Sequence, residues 1–248
     1  MREVNLRDVI VWPIVSRLGY DPNKDLFGDF ADALSRYINA WVRKCWPAAD
    51  WPELSRIEAR TPTAHLVPYD GGTTDIGKVL KVYVTDPRVS DGPFDTPFRL
   101  EETNIHVGFD HGTQVWIKFM SRPNIYTLTV WDATTTYATG DLVYDPVSGN
   151  DYTSAQDANT NHDVTDTDWW SLVPFPFVIA EPVWRGAYSD ALRDEGQTAK
   201  AQAEEQAAMQ ELQLAITREL GVRYDTLTDQ QTPTPRVLSQ PAALTPTP

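Results

Sequence analysis

Apolar residues change their spacing twice along this 248-residue chain, and that change limits the fold more than any single motif does. Leu26, Phe27, Phe30, Leu34, Tyr37, Ile38, Trp41 and Val42 recur at intervals of three and four, which gathers them on one helix face. Residues 3 to 58 are therefore expected to be helical, with Pro47 and Pro52 bracketing a turn around Trp46 and Trp51. Pro62 closes this region, because proline cannot donate into a helical ladder. From 78 to 130 the spacing falls to two or to short apolar runs. KVLKVYVTD, NIHVGF, TQVWIKF and IYTLTVW, separated by Gly, Pro, Asn and Asp clusters, read as strands. Residues 186 to 220 return to helical spacing and break at Glu195-Gly196-Gln197-Thr198. There Gly196 suits a left-handed cap and Thr198 suits the next helix start. Ala191, Ala199, Ala203 and Ala207 are small enough for close helix approach, while Met209, Leu212 and Ile216 supply bulk.

Helical text and strand text are segregated rather than alternating, which predicts an α+β fold. The expected organisation has six parts. A helical region covers 1–61. An antiparallel β-domain covers 62–130 and resumes as a return strand at 174–185, around a small β module inserted at 131–173. C-terminal helices, as a hairpin or a kinked helix, cover 186–221. An extended Pro-rich arm covers 222–248. The ending TPTPRVLSQPAALTPTP cannot build a core and favours a polyproline-like form. Within it Arg236, Val237 and Leu238 are the candidate partner-docking residues, since Val237 and Leu238 are its only clustered large apolar side chains.

Several function classes are disfavoured at this stage. A formal charge of −14 argues against a general grip on nucleic acid, which needs clustered Lys and Arg to neutralise phosphates. Cys45 is the only cysteine, so neither an intrachain disulfide nor a cysteine cluster for zinc can form. No run approaches the roughly 18 apolar residues that cross a bilayer, and the start lacks the pattern of a signal peptide. Synthesis and folding in a cytoplasm, without membrane contact, are expected. The loop from Gly72 to Val79 has the spacing of a phosphate-binding loop up to its last position. Val79 there lacks the hydroxyl that magnesium needs, and the text runs on into a strand. His106, Asp110 and His111 sit around a glycine turn with His65 and His162 remote in sequence, a polar turn rather than a ligand set. No Gly-x-Ser-x-Gly elbow occurs. The expectation is a protein that is not an enzyme, with no catalytic residue, metal or cofactor.

The segment WDATTTYATGDLVYDPVSGNDYTSAQDANTNHDVTDTDWWSLV, residues 131 to 173, resembles the small chitin-binding modules appended to bacterial chitinases. The likeness runs through Trp131, Tyr137, Gly140, Asp141, Val143, Tyr144, Tyr152, Thr153 and Ala155 and closes at Trp170 and Leu172. It implies that Trp131, Tyr137, Tyr144, Tyr152 and Trp170 frame the module's own small core. Sugar in those modules stacks on an aromatic pair just after Ala155, where this chain has Gln156 and Asp157. Trp169 is the spare aromatic left as a possible glycan contact.

From about 125 to 220, that module followed by FPFVIAEPVWRGAYSDALRDEGQTAKAQAEEQAAMQEL and a loose tail resembles structural proteins at the head-to-tail junction of tailed bacteriophages. The resemblance implies a virion protein of the neck. Such a connector or adaptor sits as a homo-oligomeric, dodecameric ring below the portal protein, with arms reaching its neighbours and a next neck or tail protein beneath. DNA would pass through without sequence-specific binding. On this reading the chain is made in the host cytoplasm and ends in the virion. The rival readings are a carbohydrate-binding tail or baseplate component recognising host-surface glycan, and an accessory domain of a bacterial enzyme.

Overall fold

The computed structural model describes residues 3–21, 28–69, 76–90, 94–101, 103–108 and 114–228. Its helices and antiparallel sheets form the α+β fold that the spacing predicts. After a two-residue strand β1 (Glu3–Val4), a π-helical turn (Arg7–Val11) runs directly into α1 (Trp12–Leu18). Gly19 ends that helix at φ 89°, donating its N–H to Ser16 O, a left-handed cap that glycine adopts without Cβ strain. Helix α2 (Gly28–Cys45) buries Ala31, Leu34, Ile38, Trp41, Val42 and Cys45, the stripe expected from the sequence; Leu26 and Phe27 lie outside the described residues. Burying Leu34, Ile38 and Val42 stabilises the fold by roughly 1.5 to 3 kcal/mol each relative to exposure. Short 3-10 turns at Trp46–Ala48 and Pro52–Leu54 follow. The indoles that precede the two prolines are anchored, Trp46 Nε1 donating to Ser121 O and Trp51 Nε1 to Cys45 O.

The helical region ends earlier than the sequence suggests. Residues 55–60 form β2 (Ser55–Arg60), whose alternation of charged Arg56, Glu58 and Arg60 with Ile57 and Ala59 carries only one large apolar side chain. Its ladder with a long partner strand decides its structure. Next come β3 (Leu66–Pro68), β4 (Ile76–Tyr83), β5 (Phe98–Leu100), β6 (Asn104–Val107) and β7 (Val115–Ser121). They make two three-stranded antiparallel sheets, ordered β2-β7-β4 and β3-β6-β5. Val67, Val79, Val82, Ile105, Val107, Ile117 and Phe119 fill the space between them. Two irregularities in the β4–β7 register fall around Gly77 and Leu80. A Cβ on Gly77 would meet Ser121 O at 2.8 Å, so the bulge needs glycine for close backbone approach. Leu80 packs against the helical core instead of the sandwich.

The segment IYTLTVW, expected as a strand, has no ladder; only Val130 bridges to Tyr144. Thr129 O and Trp131 N–H bond the Tyr144 backbone, and upstream of them side chains take the backbone groups. Tyr126 N–H donates to Asn39 Oδ1 (2.9 Å), Tyr126 O accepts from Asn39 Nδ2 (2.7 Å), and Thr127 N–H donates to Asp151 Oδ2 (2.7 Å). Beyond it lie β8 (Thr136–Tyr137), β9 (Leu142–Asp145), β10 (Asn150–Ser154), β11 (Asn159–Thr160) and β12 (Trp170–Val173). They form a three-stranded sheet β12-β10-β9 and a two-stranded sheet β11-β8. These strands build a compact β module, but not one inserted between strands of the sandwich. The expected return strand at 174–185 is absent. Only β13 (Phe175–Pro176) is extended, and it pairs with β1. The chain then turns through Phe177–Ile179 into α3 (Ala180–Asp194). Pro182 sits in the first turn, where backbone N–H groups have no intrahelical acceptor, and Ala180, Val183, Ala187, Ala191 and Leu192 are buried at helical spacing.

Helix α4 (Thr198–Thr228) completes a hairpin with α3, turning at Gly196 with φ 78°. Gln197 N–H donates to Leu192 O and Gly196 N–H to Arg193 O, a left-handed helix ending as expected. The contact face differs from the expected one. Ala201, Ala208 and Leu212 are buried, Ala199 and Ala203 are exposed, and Met209 is 36% exposed. The helix also continues past 221, where an extended arm was expected. One glycine at 221 costs about 1 kcal/mol in a helix, and the next proline is Pro233. Among the described residues no helix is long and apolar enough to cross a membrane.

Candidate functional site

The module and the helical body meet along the β9–β10 hairpin. Tyr144 and Asp151 are directly paired across it. Tyr144 is 1% exposed and belongs to the main core with Tyr126, Leu128 and Phe175, so it does not frame the module's own core as expected. Asp151 is fully buried. Its Oδ2 accepts from Thr127 N–H and its Oδ1 has no hydrogen-bond partner. Burial raises its carboxyl well above the usual carboxylate range, opposed only in part by the Thr127 bond. The hairpin tip is held by the N-terminal segment. Arg7 N–H donates to Gly149 O (2.9 Å), Arg7 Nη1 to Pro146 O (2.7 Å), and Asn5 Nδ2 to Ser148 O.

The module keeps a small core of its own. Tyr137, Val143, Val164 and Trp170 are buried, with Trp131, Tyr152 and Trp169 packed around them. Tyr137 and Trp170 meet edge to face at 5.2 Å, and Trp170 Nε1 donates to His162 O at 2.9 Å. Four of the five expected frame residues therefore pack here. Trp169 is half-buried and stacks on the His162 imidazole, ring centroids 3.8 Å apart and planes within 11°. That stack covers one face of the indole. At the position of the absent aromatic pair, Gln156 Nε2 donates to Asp168 O and Asp157 Oδ1 accepts from Thr139 N–H. The side chains are used to fix loops.

The same explanation covers the module's richness in Asp and Thr. Asp132 accepts from Thr134 N–H and Oγ1, and Asp163 accepts from Thr165 Oγ1 and N–H. These bonds hold each carboxyl below its ordinary range, led by the Thr134 backbone for Asp132 and the Thr165 hydroxyl for Asp163. Such turns bond a side chain to backbone two residues on. Composition that resembles a ligand set is here a set of loop stiffeners.

The remaining sequence candidates are not drawn together. Arg236, Val237 and Leu238 lie outside the described residues, as do Asp110, His111 and residues 72–75 of the glycine loop; Val79 is in β4. His106 sits in β6, its ring 6.1 Å from that of His65. Cys45 is buried, and burial pushes its thiol up to about 12, so it stays protonated. Sequence reasoning missed Asp151 and Asn39, because each works through a partner far along the chain, and it did not pair His162 with the nearby Trp169. No protein-family model matches this chain, and no curated protein matches it.

Proposed function

We propose that the chain is a virion structural protein of the phage head-to-tail interface, an adaptor-type ring subunit that joins portal to tail and lets DNA pass. The observation that carries this reading is the length of α4. Its 31 residues span about 46 Å against about 22 Å for the 15 of α3. Among the side chains described in α4, Ala215 and Ile216 are the last hydrophobic ones packed on the core. The helix thus outruns its own hairpin partner, and the Pro-rich ending with Arg236, Val237 and Leu238 follows it in the sequence. A subunit that must reach a neighbour needs such an element; a self-contained domain does not.

Two further features support the reading. The charge of −14 suits a passage that must not retain DNA. The module docks on one side through its β9–β10 hairpin and leaves Val147, 85% exposed, at the hairpin turn, so it can add bulk at a periphery. Glycan recognition by a tail or baseplate component is the weaker reading, since one face of Trp169 is covered and Gln156 and Asp157 are engaged. The test is removal of residues 229–248 followed by measurement of incorporation into particles. Incorporation should fall while the thermal transition of the remaining chain is kept; undiminished incorporation would contradict the docking-arm role.

A further inference from the structure

A cleft of about 340 Å³ lies between the first helical turn, the start of α3 and the distal half of α4. Val9, Val178 and Ala215 give it apolar walls, and Glu53, Glu211 and Glu219 stand around them. Two other charged residues line it. Glu181 is engaged with Trp184 Nε1 and Arg185 Nε, and Arg218 is the one cation among the described lining residues. Among those residues acidic groups are in excess. Glu53 Oε2 is shielded from solvent and has no hydrogen-bond partner, a state that costs desolvation without return.

We propose that this cleft receives the chain's own Arg236-Val237-Leu238, so that the tail folds back along α4 in the free subunit. In residues 229–248 Arg236 is the only cation, and it immediately precedes the only pair of adjacent large apolar side chains. A guanidinium brings five N–H donors to the acidic rim, including one for Glu53, while Val237 and Leu238 match the apolar walls. The reach is sufficient. From Glu219 to the end of α4 at Thr228 is about 14 Å, and the eight residues on to Arg236 cover about 25 Å even in the stiff polyproline form. A segment tethered this closely acts at an effective concentration in the millimolar range, which favours the chain's own cleft over that of another copy. This inference does not depend on the assembly reading.

The test uses the full-length chain carrying Ala215→Cys and Leu238→Cys under mild oxidation, with Val147→Cys and Leu238→Cys as the control for random encounter. Buried Cys45 does not compete. The expected result is an intrachain disulfide in the first variant, formed at least about tenfold faster than in the control. Arg236→Glu, a tail substitution that leaves the body's packing intact, should remove that advantage, and adding Glu211→Arg should restore part of it. Equal rates in both pairs, or a disulfide only between chains, would overturn the proposal.

Discussion

Trp41 on α2 occupies the space that a side chain at position 186 on α3 would need: a Cβ on Gly186 would sit 1.9 Å from Trp41 Cδ2. The indole is fixed there, its Nε1 donating to Asp190 Oδ2 at 2.9 Å. Gly186 therefore sets how closely α2 and α3 approach. Gly186→Ala should destabilise the protein by about 1 to 3 kcal/mol or more, since overpacking forces the helices apart. Urea unfolding checks this, and an unchanged midpoint would contradict the close approach.

Two glycines of the module separate backbone strain from docking. Gly140 (φ 91°) has nothing within 4 Å of a built Cβ, whereas at Gly149 (φ 72°) a Cβ would meet Asn5 Oδ1 at 2.6 Å and Arg7 Cβ at 2.7 Å. Gly140→Ala should cost about 1 kcal/mol, the left-handed penalty alone. Gly149→Ala should cost more and should speed amide exchange at Arg7, whose N–H bonds Gly149 O. Equal losses in the two variants would mean that the hairpin tip is not held by the N-terminal segment.

Asp151 gives stability a pH dependence of unusual sign. Burial raises its folded-state carboxyl above the unfolded value of about 3.9. Its contribution is therefore complete below that value and is lost as pH rises through the raised folded one. Asp151→Asn keeps an acceptor for Thr127 N–H and removes the ionisation. The variant should melt higher than the parent at alkaline pH, with the difference shrinking towards acid. Parallel melting curves across the range would contradict a desolvated carboxyl.

Trp170 and Trp169 should behave differently. Trp170→Ala removes a fully packed indole and should destabilise the module by about 3 to 5 kcal/mol. Trp169→Ala should cost less, and titration of the intact chain with soluble chitin oligosaccharide should give no heat, because His162 covers one indole face. Measurable binding that Trp169→Ala abolishes without lowering stability would establish a sugar platform.

The elements whose burial repeats locally were legible in the sequence. The α2 stripe from Leu34 to Val42, β4, β6 and β7, and the break at Gly196 all follow from spacing or from a residue able to take positive φ. What was not legible depends on distant partners. Ser55–Arg60 is a strand because β7 pairs with it, and residues 125–130 are not a ladder because Asn39 and Asp151 take their backbone groups. Phe177 onward reads as apolar strand text until the buried positions 180, 183, 187 and 191 show a helical face. Tyr144 looked like part of a module core, yet its hairpin turns it into the main one. Of the candidate glycan contact, Trp169 was visible in the sequence, but the imidazole stacked on it was not.

The most direct test of the assembly reading is native mass measurement and electron microscopy of the 248-residue chain mixed with a portal protein encoded in the same genome. The expected result is a closed ring of this chain on one face of the portal, lost or weakened when residues 229–248 are removed. A chain that stays monomeric and unbound beside intact portal rings would contradict the adaptor role.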